Sequence, residues 1–274
     1  MKTQLSELVS VLEEKEVRAP QDLTIGGLAL DSRETGEGTL FFALPGEKED
    51  GGDYIAEAKA RGAVCAVCEQ PPETEIPYIL VPDAHKALAL CAAVWYGTPA
   101  GKLIVVGVTG TNGKTTTTCL IKQLLERTKG AKVGLIGTNQ NLIGESAVPA
   151  ERTTPDALTL QRLLAQMVDA GCTYAVMEVS SHALMQKRVE GIRFRVGVFT
   201  NLTQDHLDYH GTMEAYCEAK ARLFDQCDIA CVNGDDPWTE RLLARFAGES
   251  VTFGQDMTND LVGWRARYEN DGVR

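Results

Sequence analysis

The chain has 274 residues and a formal net charge of −11 at pH 7, with 44% hydrophobic and 24% charged residues. This length allows one large domain or two ordinary ones, and the composition is typical of globular proteins. The acidic balance argues against nucleic-acid binding, which requires basic patches. No apolar run is long enough to span a membrane, and the N terminus lacks the apolar core of a signal peptide. We therefore expect a cytoplasmic monomer without nucleic-acid or membrane partners.

The first 99 residues mix short apolar strands with loops. The N-terminal segment "MKTQLSELVSVLEEKEV" is interpreted as an amphipathic helix, and another helix is predicted over residues 84–96, before a linker "GTPAGK". Cys65 and Cys68 have metal-like spacing, but a structural zinc site needs four ligands and no second pair follows. We interpret them as buried, reduced thiols of a strand.

From Lys102 onward, short runs rich in Val and Ile alternate with helical stretches, predicted over residues 114–128, 155–170 and 213–226. Buried strands that alternate with helices indicate a parallel sheet covered on both faces. We therefore predict an α/β protein. A small N-terminal α/β domain occupies residues 1–99, and a P-loop-type, mostly parallel sheet covered by helices occupies residues 100–274, incomplete at the C terminus.

Two of these helices have predicted ends or faces. For the helix over residues 155–170, Thr154 is expected to be the N-cap, Pro155 to lie in the first turn and Gly171 to end it. Its buried stripe is predicted to be Leu160, Leu163, Leu164 and Met167. The core positions of the helix over residues 114–128 are predicted to be Cys119, Ile121, Leu124 and Leu125.

The stretch "GVTGTNGKTTTT", residues 107–118, combines an apolar strand, a glycine-rich turn and the start of a helix. Val108 stands where the common G-x-x-x-x-G-K-[ST] pattern has glycine, which changes the loop's shape but not its chemistry. Backbone N–H groups, a helix N terminus and Lys114 can all bind phosphates, and Thr115 or Thr116 supplies a hydroxyl for Mg²⁺. The stretch therefore predicts a nucleotide-phosphate site.

Polar side chains follow three of the predicted strands. They are Glu178, Ser180, Ser181 and His182; Asn201, Asp205, His206, Asp208 and His210; and Asn233, Asp235 and Asp236. Ligands of parallel sheets bind at the carboxyl ends of strands. His206 and His210 are spaced i, i+4, but the glutamate of a zinc-protease motif is missing. A Glu and a His near a triphosphate are better interpreted as ligands or water-holders for Mg²⁺.

Lys220 lies within the apolar stripe of the helix predicted over residues 213–226. The stripe comprises Met213, Tyr216, Cys217, Lys220, Leu223 and Phe224. The side chain either snorkels, with its ammonium in water, or is buried with a lowered pKa. A buried amine of this kind can take up CO₂ and become a carbamate that holds Mg²⁺, in which case its tip should face the 110–116 loop.

The loop, "MEVSSHAL" and "FTNLTQDHLDYHGTMEAYCEAKARLF" closely resemble the Mur ligases of peptidoglycan synthesis, and "LALDSRETGEGTLFFALPG" resembles their uridine-binding N-terminal domain. Cyanophycin and folylpolyglutamate synthetases share the loop but not the other motifs. The resemblance implies an ATP-dependent amide ligase that adds the third amino acid to UDP-MurNAc-L-Ala-D-Glu through an acyl phosphate. The partners would be that UDP-MurNAc-dipeptide and a diamino acid, meso-diaminopimelate or L-lysine.

The resemblance also implies roles for residues that match the family's motifs. ATP would be bound by Gly110, Thr111, Asn112, Gly113, Lys114, Thr115 and Thr116. The UDP-MurNAc-dipeptide would be bound by Leu30, Ser32, Glu47, Lys48, Glu49, Thr153, Thr154, Ser180, Gln186 and Arg188. Mg²⁺ would be held by Thr115, Glu178, His206 and Lys220 as its carbamate, and the catalytic residues would be Lys114, Lys220 and His206.

Two departures from the family pattern stand out. Arg152 replaces the Asn that often precedes the Thr-Thr pair, and the third, C-terminal domain that binds the incoming amino acid has no counterpart. Val262, Trp264, Ala266 and Tyr268 alternate with polar residues, and "NDG" then predicts a turn with no returning strand. We expect a truncated central domain that is inactive alone. The alternative is a stand-alone nucleotide-binding protein without ligase activity.

Overall fold

The computed structural model describes residues 2–20, 22–46, 49–263, 268–269 and 272–273. The chain divides into two units. The first comprises Met1–Pro99, Asp156–Ala165 and Gln186–Gly191, and the second comprises Ala100–Pro155, Gln166–Met185 and Ile192–Arg274.

The first unit is built on a five-stranded sheet. The strands of the unit, including two outside this sheet, are β1 (Thr3–Gln4), β2 (Glu16–Arg18), β3 (Thr24–Ile25), β4 (Gly27–Ala29), β5 (Thr39–Phe42), β6 (Ala63–Cys68) and β7 (Tyr78–Leu80). Its helices are α1 (Leu5–Val9), α2 (Ile55–Ala60) and α3 (Ala84–Trp95). The sheet order is β2-β7-β6-β5-β4, with β2 antiparallel to β7 and the other pairs parallel. Strands β1 and β3 pair separately.

The predicted N-terminal helix is wrong in its length. Within the predicted segment only α1 is helical, because the chain continues into strand β2, where Val17 pairs with Ile79 of β7. Strand pairing overrides the helical pattern here. The interpretation of the cysteines is confirmed: Cys65 and Cys68 lie buried in β6. Burial raises their pKa values to about 12 and about 11, so both remain protonated thiols at neutral pH.

The second unit is built on a nine-stranded sheet. Its strands are β8 (Ile104–Thr109), β9 (Val133–Ile136), β10 (Asn141–Ile143), β11 (Ser146–Val148), β12 (Tyr174–Glu178), β13 (Phe194–Phe199), β14 (Cys227–Asn233), β15 (Glu249–Gly254) and β16 (Leu261–Val262). Its helices are α4 (Lys114–Lys129), α6 (Ser181–Met185), α7 (Leu207–His210), α8 (Met213–Ala221) and α9 (Thr239–Leu243). Helix α5 (Ala157–Asp169) is divided between the units, with residues 157–165 in the first and residues 166–169 in the second.

The order of this sheet places β8 between β12 and β13. The full order is β11-β10-β9-β12-β8-β13-β14-β15-β16, and all pairs are parallel except those that β10 makes with β9 and β11. Strands β9 to β12, which follow β8 in the chain, lie on one side of it, and strands β13 to β16 lie on the other. Such a reversal opens a crevice at the carboxyl ends of the strands, where ligands bind. The predicted α/β class with a mostly parallel sheet is confirmed.

The start of α5 differs from the prediction. The helix begins at Ala157, and the carboxylate of Asp156, not Thr154, accepts the backbone N–H of Thr159 at 2.9 Å. Thr154 donates instead to the carbonyl of Glu178 at 2.9 Å. Pro155 precedes the helix and does not lie in its first turn. The end is as predicted, because Gly171 follows the helix with a φ of +78°. The predicted stripe is confirmed as buried: Leu160, Leu163, Leu164 and Met167.

Helix α4 corrects one predicted core residue. Its buried residues are Thr118 and Lys122, and Leu124 lies on the far side of the helix with 60% exposure. Two polar residues on the inner face made the apolar pattern misleading. Cys119, Ile121 and Leu125 do pack against the core. In the last predicted helix, α8 ends at Ala221, and a 3₁₀ turn over Phe224–Gln226 follows.

The C-terminal strands also differ from the expectation of an unreturned strand. Tyr268–Glu269 (β17) pairs antiparallel with Gly272–Val273 (β18), so a short returning strand is present. Val262 pairs with Gly254 in the large sheet, whereas Trp264 and Ala266 lie outside the described residues. Within the described part of the chain, no helix has the length and apolar character needed to cross a bilayer.

Candidate active site

A tight loop joins the central strand β8 to α4 at the carboxyl edge of the sheet. Gly110 has a φ of +144° and Gly113 a φ of +83°, conformations that L side chains rarely adopt. A Cβ on Gly110 would lie 1.9 Å from the Thr200 hydroxyl oxygen. The loop therefore requires glycine at 110 both for its backbone angles and for its close approach to β13.

Residues after β13 hold the loop in place. The backbone N–H of Thr111 donates to the Asn201 carbonyl at 2.8 Å, and that of Asn112 donates to the Asn201 side chain at 3.0 Å. The Thr200 hydroxyl donates to the Asn112 carbonyl at 2.7 Å, and the Thr203 N–H donates to the Thr111 hydroxyl at 3.0 Å. These braces were missed from the sequence, although Asn201 belongs to a polar cluster identified there.

Two lysine side chains meet at the loop. Lys114 donates to the carbonyls of Gly110 at 2.8 Å and Thr111 at 2.9 Å, and Lys220 donates to the same Gly110 carbonyl at 2.9 Å. Lys220 is only 1% exposed, so the buried alternative holds and snorkelling does not. Its tip faces the 110–116 loop, as predicted for that alternative.

The electrostatics of these lysines favour an anion. Burial lowers the pKa of Lys114, and the pKa of Lys220 is lowered further by burial and by the charge of Lys114. Among the described residues, neither ammonium pairs directly with a carboxylate, and both donate to backbone carbonyls. Positive charge held away from water without an anionic partner attracts phosphate oxygens, which arrive with negative charge and accept hydrogen bonds.

Glu178, the last residue of β12, is 1% exposed and faces the start of α4. Its carboxylate accepts the hydroxyl of Thr115 at 3.0 Å, and the backbone N–H and hydroxyl of Thr138 at 2.8 and 3.1 Å. Thr138 was not identified from the sequence, because it follows a different strand from Glu178. The buried carboxylate is thus fixed beside a hydroxyl of the loop helix.

The oxygen atoms of Glu178 and Thr115 fit a magnesium ion that is bound mainly through the phosphates of a nucleotide. In the described part of the chain, no group of three or more His, Cys, Asp and Glu side chains is suited to a metal ion. Mg²⁺ commonly takes one or two protein ligands and completes its octahedron with water and substrate phosphates. Glu178 and Thr115 can supply such a partial shell at the loop.

Three predicted substrate residues converge on the end of β12. The Thr154 hydroxyl accepts the backbone N–H of Ser180 at 3.0 Å, and the Ser180 hydroxyl accepts the N–H of Ala183 at 3.2 Å. The Thr153 hydroxyl lies 3.0 Å from that of Thr138, a direct partner of Glu178. Thr153, Thr154 and Ser180 are therefore linked to the edge of the sheet that carries the loop.

Three histidines form a cluster with two tyrosines. The ring centroid of His182 lies 4.9 Å from that of His206, 4.2 Å from Tyr209 and 5.7 Å from His210. His210 stacks on Tyr216 at 4.8 Å. His206 has a φ of +51° and is half exposed, so its proposed role in magnesium binding stays a prediction.

The ring of Tyr216 joins this cluster to the loop. Lys220 Nζ lies 4.3 Å from the Tyr216 ring centroid, a cation–π distance, and the Tyr216 hydroxyl lies 3.4 Å from that of Thr111. The sequence placed Tyr216 in an apolar stripe and gave no indication of this contact. The aromatic ring therefore forms one wall around the buried amine.

The lowered pKa of His210 predicts that the free energy of unfolding decreases in acid. Burial, then the charges of His182, Lys220 and His206, lower its pKa from 6.5 to about 4, against a smaller opposing effect of Asp208. Its contribution to stability is therefore complete above pH 6.5 and is lost as the pH falls towards 4. We expect unfolding in urea to show that His210→Gln loses about 1 kcal/mol less stability than the parent between pH 7 and pH 5, allowing for partial exposure. Equal losses in both proteins would contradict this assignment.

The side chains of the third polar cluster form hydrogen bonds within the fold. Asp235 accepts the backbone N–H groups of Gln255 at 2.6 Å and Asp256 at 3.1 Å, which lowers its pKa. Asp236 accepts the Leu202 N–H at 2.8 Å. Asn233 donates to the Thr200 carbonyl at 2.9 Å. The last two contacts support the segment that braces the loop.

The first unit contains a cavity of about 590 Å³ that brings together Leu30, Ser32 and Glu49. The Ser32 hydroxyl donates to Glu57 at 2.8 Å, and Tyr54 donates to Glu49 at 3.0 Å. Glu47 and Lys48 lie outside the described residues. Gln186 and Arg188, which belong to the same unit, pair with each other, with Arg188 Nε donating to Gln186 Oε1 at 3.0 Å.

Comparison with protein families and known proteins agrees with this geometry. Residues 108–274 match the family described as "Mur ligase middle domain", and residues 24–96 match "Mur ligase family, catalytic domain". A curated relative from Geobacillus kaustophilus, named UDP-N-acetylmuramoyl-L-alanyl-D-glutamate--2,6-diaminopimelate ligase, is 46% identical over 258 residues, which cover 91% of this chain and 53% of the relative. One of the same name from Gloeobacter violaceus is 49% identical over 259 residues, covering 92% and 52%.

A solved structure of a protein with the same name superposes with a TM-score of 0.84 at 29% identity, covering 100% of this chain and 57% of that one. The chain spans about half the length of the curated relatives it matches. The middle-domain match alone includes most of the chain, with the whole 110–116 loop and Lys220. The resemblance seen in the sequence is confirmed, and the chain belongs to the Mur ligase family.

Proposed function

We propose that this chain carries the ATP site and the UDP-sugar site of an ATP-dependent amide ligase, which adds a diamino acid to UDP-MurNAc-L-Ala-D-Glu in peptidoglycan precursor synthesis. The relatives' printed names give 2,6-diaminopimelate as the amino acid, which favours it over L-lysine. Residues 100–274 would bind ATP, and residues 1–99 would bind the UDP-sugar. Because both substrates are nucleotides, we propose that the protein acts in the cytoplasm. We also propose that it is a monomer.

The observation that carries this proposal is the convergence of Lys114 and Lys220 on the Gly110 carbonyl, at the mouth of a strand–loop–helix unit. A nucleotide's outer phosphates can accept hydrogen bonds from the Lys114 ammonium and from the N–H groups of the loop. Positive charge concentrated there would stabilise a phosphoryl group during its transfer to a carboxylate.

Magnesium would supply further charge neutralisation of the phosphates when bound. Thr115 and Glu178 would hold it, with His206 and a modified Lys220 as further ligands. For Lys220 to serve, its neutral amine must add to CO₂: the N–C bond forms, one C=O electron pair moves onto oxygen, and one amine proton leaves to water. Burial and a lowered pKa favour this reaction, which turns a cation into an anionic ligand.

The cavity of the first unit supports the UDP-sugar part of the proposal, because Leu30, Ser32 and Glu49 all line it. Its volume of about 590 Å³ is in the usual range for small-molecule sites. Thr153, Thr154, Ser180, Gln186 and Arg188 are proposed to bind the muramoyl dipeptide.

Calorimetric titration distinguishes this function from that of a nucleotide-binding protein without ligase chemistry. We expect the chain to bind both Mg-ATP and UDP-MurNAc-L-Ala-D-Glu. Ser32→Ala should weaken binding of the UDP-dipeptide by about 0.5–1.5 kcal/mol, the value of a typical hydrogen bond, and leave ATP affinity unchanged. Binding of ATP without any binding of the UDP-dipeptide would instead favour the simple nucleotide-binding protein.

A further inference from the structure

Thr109, the last residue of β8, has a buried hydroxyl that needs an explanation. The residue is 0% exposed, and its Oγ1 has no hydrogen-bond partner among the described residues. Leaving a buried polar group unsatisfied is unfavourable, and such groups often indicate a missing ligand or functional group. The backbone carbonyl of Thr109, in contrast, accepts the N–H of Thr200 at 3.0 Å.

The position of Thr109 places this hydroxyl on the Lys220 side of the sheet. Side chains alternate along a strand, so Thr109 shares a face with Gly107, whereas Val108 packs in the core beneath α4. A Cβ on Gly107 would meet Leu223, which follows Lys220 by one helical turn. The residue after Thr109 is Gly110, whose carbonyl accepts Lys220 Nζ at 2.9 Å.

A carbamate oxygen of Lys220 that does not hold Mg²⁺ would need a hydrogen-bond donor in this place. Its nitrogen keeps one N–H, which can still donate to the Gly110 carbonyl, but its two oxygens only accept hydrogen bonds. The wall formed by the Tyr216 ring offers a π face and no donor. Of the three buried, unpartnered side-chain atoms in the described chain, Thr109 Oγ1, Gln161 Oε1 and Gln226 Oε1, only the threonine hydroxyl carries a proton.

We propose that the Thr109 hydroxyl donates a hydrogen bond to the carbamate of Lys220 and fixes its orientation beside the loop. This inference rests on the proposed function, because it requires the lysine to be modified. Thr109 is then a positioning residue, which acts through Lys220 and touches neither nucleotide nor substrate. Its unsatisfied hydroxyl in the unmodified chain becomes a preorganised site for the added carboxylate.

Carbon-13 NMR of the chain in ¹³C-bicarbonate tests this inference directly. The parent should show a carbamate resonance that Lys220→Met lacks. Thr109→Val, which keeps the shape but not the hydroxyl, should need roughly tenfold or more bicarbonate for half-occupancy, as expected from losing a hydrogen bond to a charged group. Thr109→Ser should restore occupancy close to that of the parent. Thr109→Ala carries the same expectation as Thr109→Val, should the valine variant fail to fold by circular dichroism.

The outcomes separate this inference from the proposed function. Equal occupancy in the parent and in the folded variants without the hydroxyl would overturn the role of Thr109 and leave the lysine carbamate intact. A parent without any resonance dependent on Lys220 would overturn both the carbamate and the role of Thr109. Neither result affects ATP binding by the loop, which calorimetry measures separately.

Discussion

Replacing Gly110 with alanine should lower the free energy of unfolding by about 2–4 kcal/mol and abolish measurable binding of Mg-ATP. The added Cβ would lie 1.9 Å from the Thr200 hydroxyl and 3.1–3.2 Å from backbone atoms of Asn201. Thr200 cannot move without losing its hydrogen bond to Asn112. The φ of +144° adds backbone strain for any residue with a side chain.

Urea denaturation and calorimetry with Mg-ATP measure the two effects. Gly101→Ala is the matched control, because a Cβ there has no heavy atom within 4 Å and Gly101 lies in the same unit, before β8. We expect that variant to stay within about 0.5 kcal/mol of the parent, as is usual at the surface. If Gly110→Ala were as stable as Gly101→Ala, the tight packing of the loop against β13 would be wrong.

The loop and the sheet could be predicted from the sequence because their signals are local. The apolar strand before Gly110, the glycine turn and the helix from Lys114 all lie within one short stretch. Apolar runs rich in Val and Ile likewise identified the buried strands of the parallel sheet. Val108 replaces a glycine of the common phosphate-loop pattern, and the loop still forms, with glycine at positions 110 and 113.

The contacts that complete the site could not be predicted, because they join distant parts of the chain. Thr138 reaches Glu178 across 40 residues, and Asn201 contacts the loop across 89. Helical periodicity placed Lys220 on an inner face but could not decide between burial and snorkelling. The decision came from tertiary contacts, the Tyr216 ring and the Gly110 carbonyl.

The errors have a common physical origin in competition between local and tertiary preferences. The sequence pattern predicts Thr154 as a helix cap, but its hydroxyl forms hydrogen bonds with the backbone of Glu178 and Ser180 at the end of β12. Leu124 fits an apolar helical pattern, but Thr118 and Lys122 occupy the inner face. The cap at Asp156 performs the local role instead. Polar groups thus hold positions where an apolar pattern alone predicts hydrophobic residues.

Lys114→Ala should weaken binding of Mg-ATP by about 1.5–3 kcal/mol, or roughly tenfold to a hundredfold. Lys114 donates to two loop carbonyls, at 2.8 and 2.9 Å, so its ammonium lies at the loop. A phosphate oxygen would exchange a neutral acceptor for a charged one, which makes a stronger hydrogen bond. Lys129→Ala, at the exposed far end of the same helix, removes an equal charge and is the matched control.

Calorimetric titration of the parent, Lys114→Ala and Lys129→Ala with Mg-ATP is the most direct measurement of whether this loop is a nucleotide site. The account predicts saturable binding at one site in the parent, the same affinity in Lys129→Ala, and an affinity at least about tenfold lower in Lys114→Ala. Absence of saturable binding in the folded parent, or equal affinity in Lys114→Ala and the parent, would contradict it.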